Sequence, residues 1–410
     1  MPKITTPNIC EKFSIKYCDL YQMLKNLQNP TLKNGKINML NYFFRGFIMK
    51  LKAYKKDLQE AFKKVISEKK AALPILTNFL LKAEDGKLTV YGTDLEVYTS
   101  YTIPADVEEE GVICVNSKKI SDISKVLAQN EALLYTDGET LKITSGKTKY
   151  SLPTFEADDF PLPEAFPSDL AVSISGKELL KGISKTIYAV SKDESRFALN
   201  GVCFSFIKGK LDFVATDGHR LALYSTEITG KGLEGKYIVP QKALNEIKKL
   251  VSDVEDVEVA VSGSSIFFKG SNYILSARLL EGIFPDYTQV IPNSFNTEIT
   301  LSKSELIDSI KRVIIAEENE NKPIKWKLLD NKLIISTPPT SDTYAEDEIE
   351  VNYDDEEFEI GFNGKYILEA VDEIEDKNIV AKFINKDSQT VIIPENPEER
   401  YLAVVMPMTI

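Results

Sequence analysis

Apolar residues fall four apart at three places along this chain: Leu58, Phe62 and Ile66; Leu179, Ile183 and Ile187; Leu306, Ile310 and Ile314. That spacing places each trio on one stripe of a helix, the side that packs inward. After each stripe comes a strand-like alternation that opens Lys-Leu, at Lys87, Lys210 and Lys332. A second helical pattern follows in each case: Ile120, Ile123 and Leu127; Leu244, Ile247 and Val251; Ile367, Ala370 and Ile374. The Lys-Leu landmarks lie 123 and 122 residues apart, so the period is uniform. The ends rhyme too, with Asp159-Phe160-Pro161, Phe284-Pro285-Asp286 and Met406-Pro407-Met408. A self-similar chain of this kind predicts tandem copies of one unit. Pro-rich stretches at 160–167 and 292–296 set the boundaries, giving units over 49–168, 169–293 and 294–410. Each unit predicts an α+β domain with two helices on a sheet.

The sharpest local pattern is FVATDGHRLALYS at 213–225. An apolar run, a Thr-Asp-Gly turn and a second apolar run predict an antiparallel hairpin. It contains His219, the only histidine of the chain, followed by Arg220. As a catalytic pair, His219 and Asp217 stand two apart in a tight turn, which is poor geometry for a base and its orienter. No nucleophile motif accompanies them, and there is no GxxxxGK[ST] or GxGxxG phosphate loop. The chain is expected to be non-catalytic. A peptide-binding repeat scaffold and a nucleic-acid-encircling protein both remain open at this point.

The 410 residues carry a net charge of −12, which excludes a chain that coats nucleic acid with its whole surface. The charge is unevenly placed, however. Residues 50–70 hold eight lysines against three acids, and Lys118, Lys119, Lys181, Lys185, Lys242, Lys248, Lys249, Lys311 and Arg312 continue the bias on later helices. Six basic helices facing one way would hold phosphates without reading bases. Acid collects at 342–359, with ten carboxylates and no Lys or Arg. Two sheet edges are complementary: LKITSGKTKYSL (141–152) offers Lys142, Lys147, Lys149 and Tyr150, and YAEDEIEVNY (344–353) offers Glu346, Asp347, Glu348 and Glu350. Opposite charge at the two ends of a chain favours head-to-tail pairing into a ring.

Cys10, Cys18, Cys114 and Cys203 show no CxxC spacing, and one histidine cannot build a His-based metal cluster. The expectation is a reducing, cytoplasmic setting with no metal, no cofactor and no membrane span. Residues 1–48 are Lys- and Asn-rich and poor in acids, and are expected to be an appendage outside the first domain.

From Met49 onward the chain resembles the bacterial β sliding clamp family, the processivity subunits of DNA polymerase III. The carrying motifs are LPILTNFLL (73–81), TVYGTDLE (89–96), FVATDGHRLAL (213–223), GIFPDY (282–287), IGFNGKY (360–366) and VVMPM (404–408), in order across all three units. The resemblance implies a head-to-tail homodimeric ring around double-stranded DNA, with helices lining the hole. It also implies a groove between the second and third domains. There the polymerase alpha subunit, the clamp loader and other proteins dock through a short extended motif. Carried over, the groove comprises Leu199, Thr216, Gly218, His219, Arg220 and Leu221, with Pro285 and Val290 on one wall. Asn363, Tyr366, Val404, Val405, Met406, Pro407 and Met408 form the other, Arg220 and Asn363 being suited to pair a ligand backbone. DNA contacts fall to Lys70, Arg196, Phe197 and Lys242. The dimer interface takes Lys147, Lys149, Tyr150, Ile314, Ile315, Glu346, Asp347 and Glu348. The chain departs from the family pattern at Thr409-Ile410, where a basic residue is common, and at Ile283 and Gln289, where arginines are frequent. It departs again at Asp193 and Ala198, in a loop that often meets DNA with Gln and Tyr.

Overall fold

The computed structural model describes residues 49–68, 72–230, 232–339 and 343–410. The expectations for residues 1–48 and for Lys70 lie outside them. Among the described residues are six α-helices: α1 (Lys55–Lys64), α2 (Ser117–Lys125), α3 (Gly176–Ile187), α4 (Gln241–Leu250), α5 (Lys303–Ile314) and α6 (Gly364–Asp372). Four have a side-chain cap legible in the sequence. Asn116, Ser175, Ser302 and Asn363 accept from the backbone N–H of Lys119, Glu178, Glu305 and Lys365, which satisfies a donor left free at each helix start. The helices are shorter than the apolar spacing suggests. Ile66, Leu127, Val251 and Ile374 all lie past the last turn of their helices, yet each is buried. The stripe continues into the following loop because the core does.

The sheets are antiparallel, and they run across domain boundaries. One continuous order of thirteen strands holds the strands of the first unit and four of the second; eight strands join the second unit to the third, and four more stand alone in the third. At the first junction the strand Val97–Pro104 pairs with Tyr273–Arg278, Tyr101 opposite Tyr273. At the second, Arg220–Glu227 pairs with Tyr401–Val405, Tyr224 opposite Tyr401. Helices pack on the sheets, and the largest core cluster runs from Met49 to Val405.

Several strands present an open edge, and two of these edges are opposite in charge. Glu346–Glu350 ends its sheet, with Lys332–Ser336 as its neighbour. Thr148–Phe155 pairs along its length with Thr140–Ser145, but only Thr154 and Phe155 meet a second neighbour. Lys147 and Lys149, at the open part, are exposed.

Candidate functional site

The site is built on the 213–225 hairpin. Its strands, Lys210–Thr216 and Arg220–Glu227, are in register from Lys210 opposite Glu227 to Thr216 opposite Leu221. Gly218 takes φ +88°, a conformation that a side chain would resist. Asp217 organises the turn: Oδ1 accepts the N–H groups of His219 (2.9 Å) and Arg220 (3.1 Å), and Oδ2 accepts Arg220 Nε (3.1 Å). The carboxylate is therefore committed to the turn and not to the His219 imidazole, and the acid–base reading has no geometry here.

Arg220 is buried. Beyond Asp217, its Nη1 donates to Glu369 and its Nη2 to the Tyr188 carbonyl (2.8 Å). The guanidinium lies over the rings of Tyr366 (4.3 Å) and Tyr188 (5.2 Å). All three of its nitrogens are thus engaged within the chain. Arg220 holds α6 and the end of α3 to the turn, and is not positioned as a free donor for a ligand. Asn363 is occupied on its oxygen, which caps α6.

Beside the turn lies a cavity of about 140 Å³ lined by Leu199, Thr216, Gly218, Arg220, Leu221, Phe284, Pro285, Tyr287, Val290, Val404 and Met406. Its floor is an apolar cluster separate from the main core: Cys203, Val214, Leu221, Ile238, Phe284, Tyr287, Val391 and Val404. Burial pushes the Cys203 thiol up to about 12, so it is a neutral apolar filler. Tyr287 is anchored beneath the wall by donating to Asp212 (2.9 Å). Phe284 and Tyr287 of the GIFPDY motif also line the cavity, and no periodicity in that string marks them as inward; only their size and aromatic character on either side of Pro285-Asp286 points to burial.

The remaining expected groove residues lie around this cavity. His219 and Tyr366 line a second space of about 310 Å³ with Arg196, Asp217 and Arg220. Pro407 and Met408 pass to a third, about 460 Å³, with Gly361, Lys386, Thr409 and Ile410. Val405 is buried in the main core, paired with Arg220 and Thr390. The tail is tied at two points, Met406 N–H to the His219 carbonyl and Met408 N–H to the Gly361 carbonyl, each 2.9 Å. Gly361 is required there, because a Cβ would stand 2.5 Å from Met408 O.

The cationic helices are less uniform than the sequence predicts. Lys56, Lys63, Lys118, Lys119, Lys177, Lys248 and Lys311 are exposed. Others are employed inside the fold. Lys242 pairs with the buried Asp94 (2.5 Å) and with Glu96, and Lys181 with Glu375 (3.0 Å). Lys185, only 3% exposed, meets Glu399 (2.6 Å). Lys55 and Lys303 donate to carbonyls just beyond α2 and at the end of α6. The expectation of six basic helices is corrected at α6, which carries Lys365 against Glu369 and Asp372. Phe197 is 70% exposed, and its neighbour Arg196 donates to the Asp217 carbonyl (3.0 Å).

At the open edges, Ile315 is 82% exposed, whereas Ile314 and Tyr150 are half-buried against the core. Asp347 is held by Arg312 (2.8 Å from Nε) and Glu348 by Lys332 (2.8 Å). Glu346 accepts from the Tyr344 hydroxyl. Among the described residues no group of His, Cys, Asp and Glu is arranged to hold a metal.

Three consecutive family profiles match this sequence. They are described as the N-terminal, central and C-terminal domains of the DNA polymerase III beta subunit, over residues 46–164, 173–286 and 288–409. The chain is 31% identical to the beta sliding clamp of Chlamydia pneumoniae over 364 residues, covering 88% of this chain and 99% of that protein. Against the beta sliding clamp of Vibrio cholerae the identity is 30%, with 83% and 93% covered. The crystal structure of the DNA polymerase III subunit beta from Pseudomonas aeruginosa superposes with a TM-score of 0.84 at 28% identity, covering 88% of this chain and all of that one. A DNA polymerase sliding clamp from Bacillus subtilis gives 0.83 at 26% identity, with 88% and 99% covered.

Proposed function

This chain belongs to the DNA polymerase III beta subunit family, the sliding clamps, and we propose that two copies close head to tail into a ring around duplex DNA. A clamp is a non-catalytic processivity factor, and the commitment of Asp217 to its own turn agrees with that. The observation that carries the ring is the pair of open, oppositely charged sheet edges. Glu346–Glu350 lacks a second neighbour at one end of the chain, and residues 148–151 lack one at the other. Two copies related by a rotation satisfy both edges twice, and the exposed Ile315 gives the seam an apolar contact. Reversing Lys147 and Lys149 to Glu is expected to shift sedimentation toward monomer; an unchanged profile would remove the edge pairing.

The exposed helix lysines supply sequence-independent phosphate contacts, with Arg196 and Phe197 as further DNA contacts. The apolar cavity beside the 213–225 hairpin takes the anchoring side chains of an extended segment. Its owners are the polymerase alpha subunit, the clamp loader and other clamp-motif proteins. Because Arg220 is spent inside the chain and the Asn363 oxygen caps a helix, we assign recognition there mainly to shape and apolar burial, with the Asn363 amide N–H groups as the remaining polar donors. No described helix is long and apolar enough to cross a membrane, and we place the protein in the cytoplasm with its DNA. The decisive experiment loads the protein on nicked circular DNA, then linearises it. Retention on the circle with loss from the linear form supports topological linkage. Equal release from both would leave a peptide-binding scaffold.

A further inference from the structure

Each domain junction of this chain follows one plan that can be traced residue by residue. The first helix of a domain packs on the strand that leads to the next domain: α1 on Val97–Pro104, α3 on Arg220–Glu227, α5 on Glu346–Glu350. The tenth residue of each of these helices is basic, namely Lys64, Lys185 and Arg312. Lys64 Nζ donates to the Leu250 carbonyl (3.2 Å) at the end of α4, the second helix of the next domain. Lys185 Nζ donates to the Glu373 carbonyl (2.5 Å) at the end of α6, again in the next domain. Each ammonium therefore sits on the negative end of a helix, where carbonyls lack intrahelical donors. The two acceptors are equivalent, since each lies six residues after a buried apolar landmark, Leu244 or Ile367. The same count from Ile120 reaches Val126, at the end of α2.

Among the described residues, Arg312 meets no such helix end and Val126 receives no such cation. Val126 is 64% exposed, whereas its counterpart Leu250 is 3% exposed. Arg312 is nevertheless held ready, its Nε and Nη2 both donating to Asp347. Asp347 stands where the first two domains have Tyr101 and Tyr224, three residues before the end of the strand's pairing with its Lys-Leu neighbour. In the first domain Lys64 lies over the Tyr101 ring, so a carboxylate takes the ring's place in the third.

We propose that Arg312 builds a third junction of the same plan by donating to the Val126 carbonyl of a second copy of this chain. Asp347 is the positioning residue that orients its guanidinium. This rests on the head-to-tail reading above and adds a specific latch to it. The same correspondence sets the strand register, with Asp347 opposite the partner's Thr148. Glu346 then faces the partner's Lys149, and Glu348 the partner's Lys147. These are directly opposed charge pairs on one face of the sheet, while Asp347 points to the other face and its own Arg312.

The test is a double-mutant cycle read by sedimentation velocity over a concentration series, with thermal melting to confirm folding. Val126→Lys and Val126→Glu are made with Arg312 present and in an Arg312→Ala background. Arg312→Ala removes the latch from both interfaces of the ring and is expected to weaken the dimer at least about a hundredfold, the scale of two hydrogen bonds from charged groups. Arg312→Lys should stay close to the unaltered chain, because lysine fills this place at both inner junctions. Val126→Lys should weaken and Val126→Glu strengthen association only while Arg312 is present. Equal effects in both backgrounds would overturn the latch and leave the dimer standing. A chain that is monomeric without any substitution would overturn the head-to-tail reading, and the latch with it.

Discussion

The strand pair that joins the second and third domains ends in two very different cavities. At the Arg220–Val405 end lies the small apolar one, about 140 Å³, lined in part by Leu221, Phe284 and Val404, which pack with the buried Cys203. Toward the Tyr224–Tyr401 end lies a cleft of about 640 Å³ lined by Glu178, Lys181, Lys185, Glu227, Glu375, Glu399 and Arg400. The larger space is the less available to a ligand. Its charges already serve one another: Lys185 with Glu399, Lys181 with Glu375, and Arg400 with Glu227 at 3.4 Å. The Glu399 carboxylate also accepts the N–H groups of Glu375 (2.9 Å) and Asp376 (3.1 Å). An incoming group would have to displace these partners, whereas the apolar cavity offers surface that gains by being covered. One end of the pair thus fastens two domains, and the other leaves an apolar surface uncovered.

That contrast can be broken by substitution. The largest effect is expected from Lys185→Met, which strands a buried carbonyl and removes the cation facing Glu399. Stability in a denaturant titration should fall by about 3 kcal/mol, with peptide affinity unchanged where the protein remains folded. Loss of peptide binding in the folded variant would show that the two ends are not independent. Next comes deletion of residues 406–410, which removes one wall of the apolar cavity. Affinity for a fluorescent clamp-motif peptide should drop at least about a hundredfold while the dimer persists in sedimentation. Gly361→Ala drives a Cβ toward Met408 O and should displace the tail, at a cost of about tenfold in the same anisotropy assay. The smallest effect is alkaline. Burial raises both the Cys203 thiol and the Tyr287 hydroxyl to about 12. The folded state therefore keeps protons that the unfolded chain gives up from about 9 upward. Stability should be complete below that value and fall as pH rises through it, seen as a lower urea midpoint at about pH 10 than at about pH 8.

How much of this was legible in the sequence depends on the range of the interaction. The repeat, the helix caps at Ser175 and Ser302, and the Gly218 turn are local, and their residues announce them. The ends of the helices were not legible, because Leu127, Val251 and Ile374 keep the apolar rhythm after the backbone has left the helix. Long-range partners were hidden for the same physical reason. Nothing near Lys242 in the chain points to Asp94, and nothing near Lys185 points to Glu399, so both lysines read as free cations on basic helices. Arg220 reads as an exposed donor in a polar turn until Tyr188, Tyr366 and Glu369 arrive from elsewhere in the chain. Sequence shows which charges exist, and the fold decides which remain to be used.

The sheets that run unbroken through both covalent junctions also govern how an annulus of this kind could part. Five residue pairs zip the first junction, and five more the second. Bending a protomer there would mean unzipping a ladder whose neighbours on either side are fixed. Flexure is therefore spread thinly along the protomer, as in a stiff spring, and the proposed ring is expected to part where no peptide bond bridges its two copies.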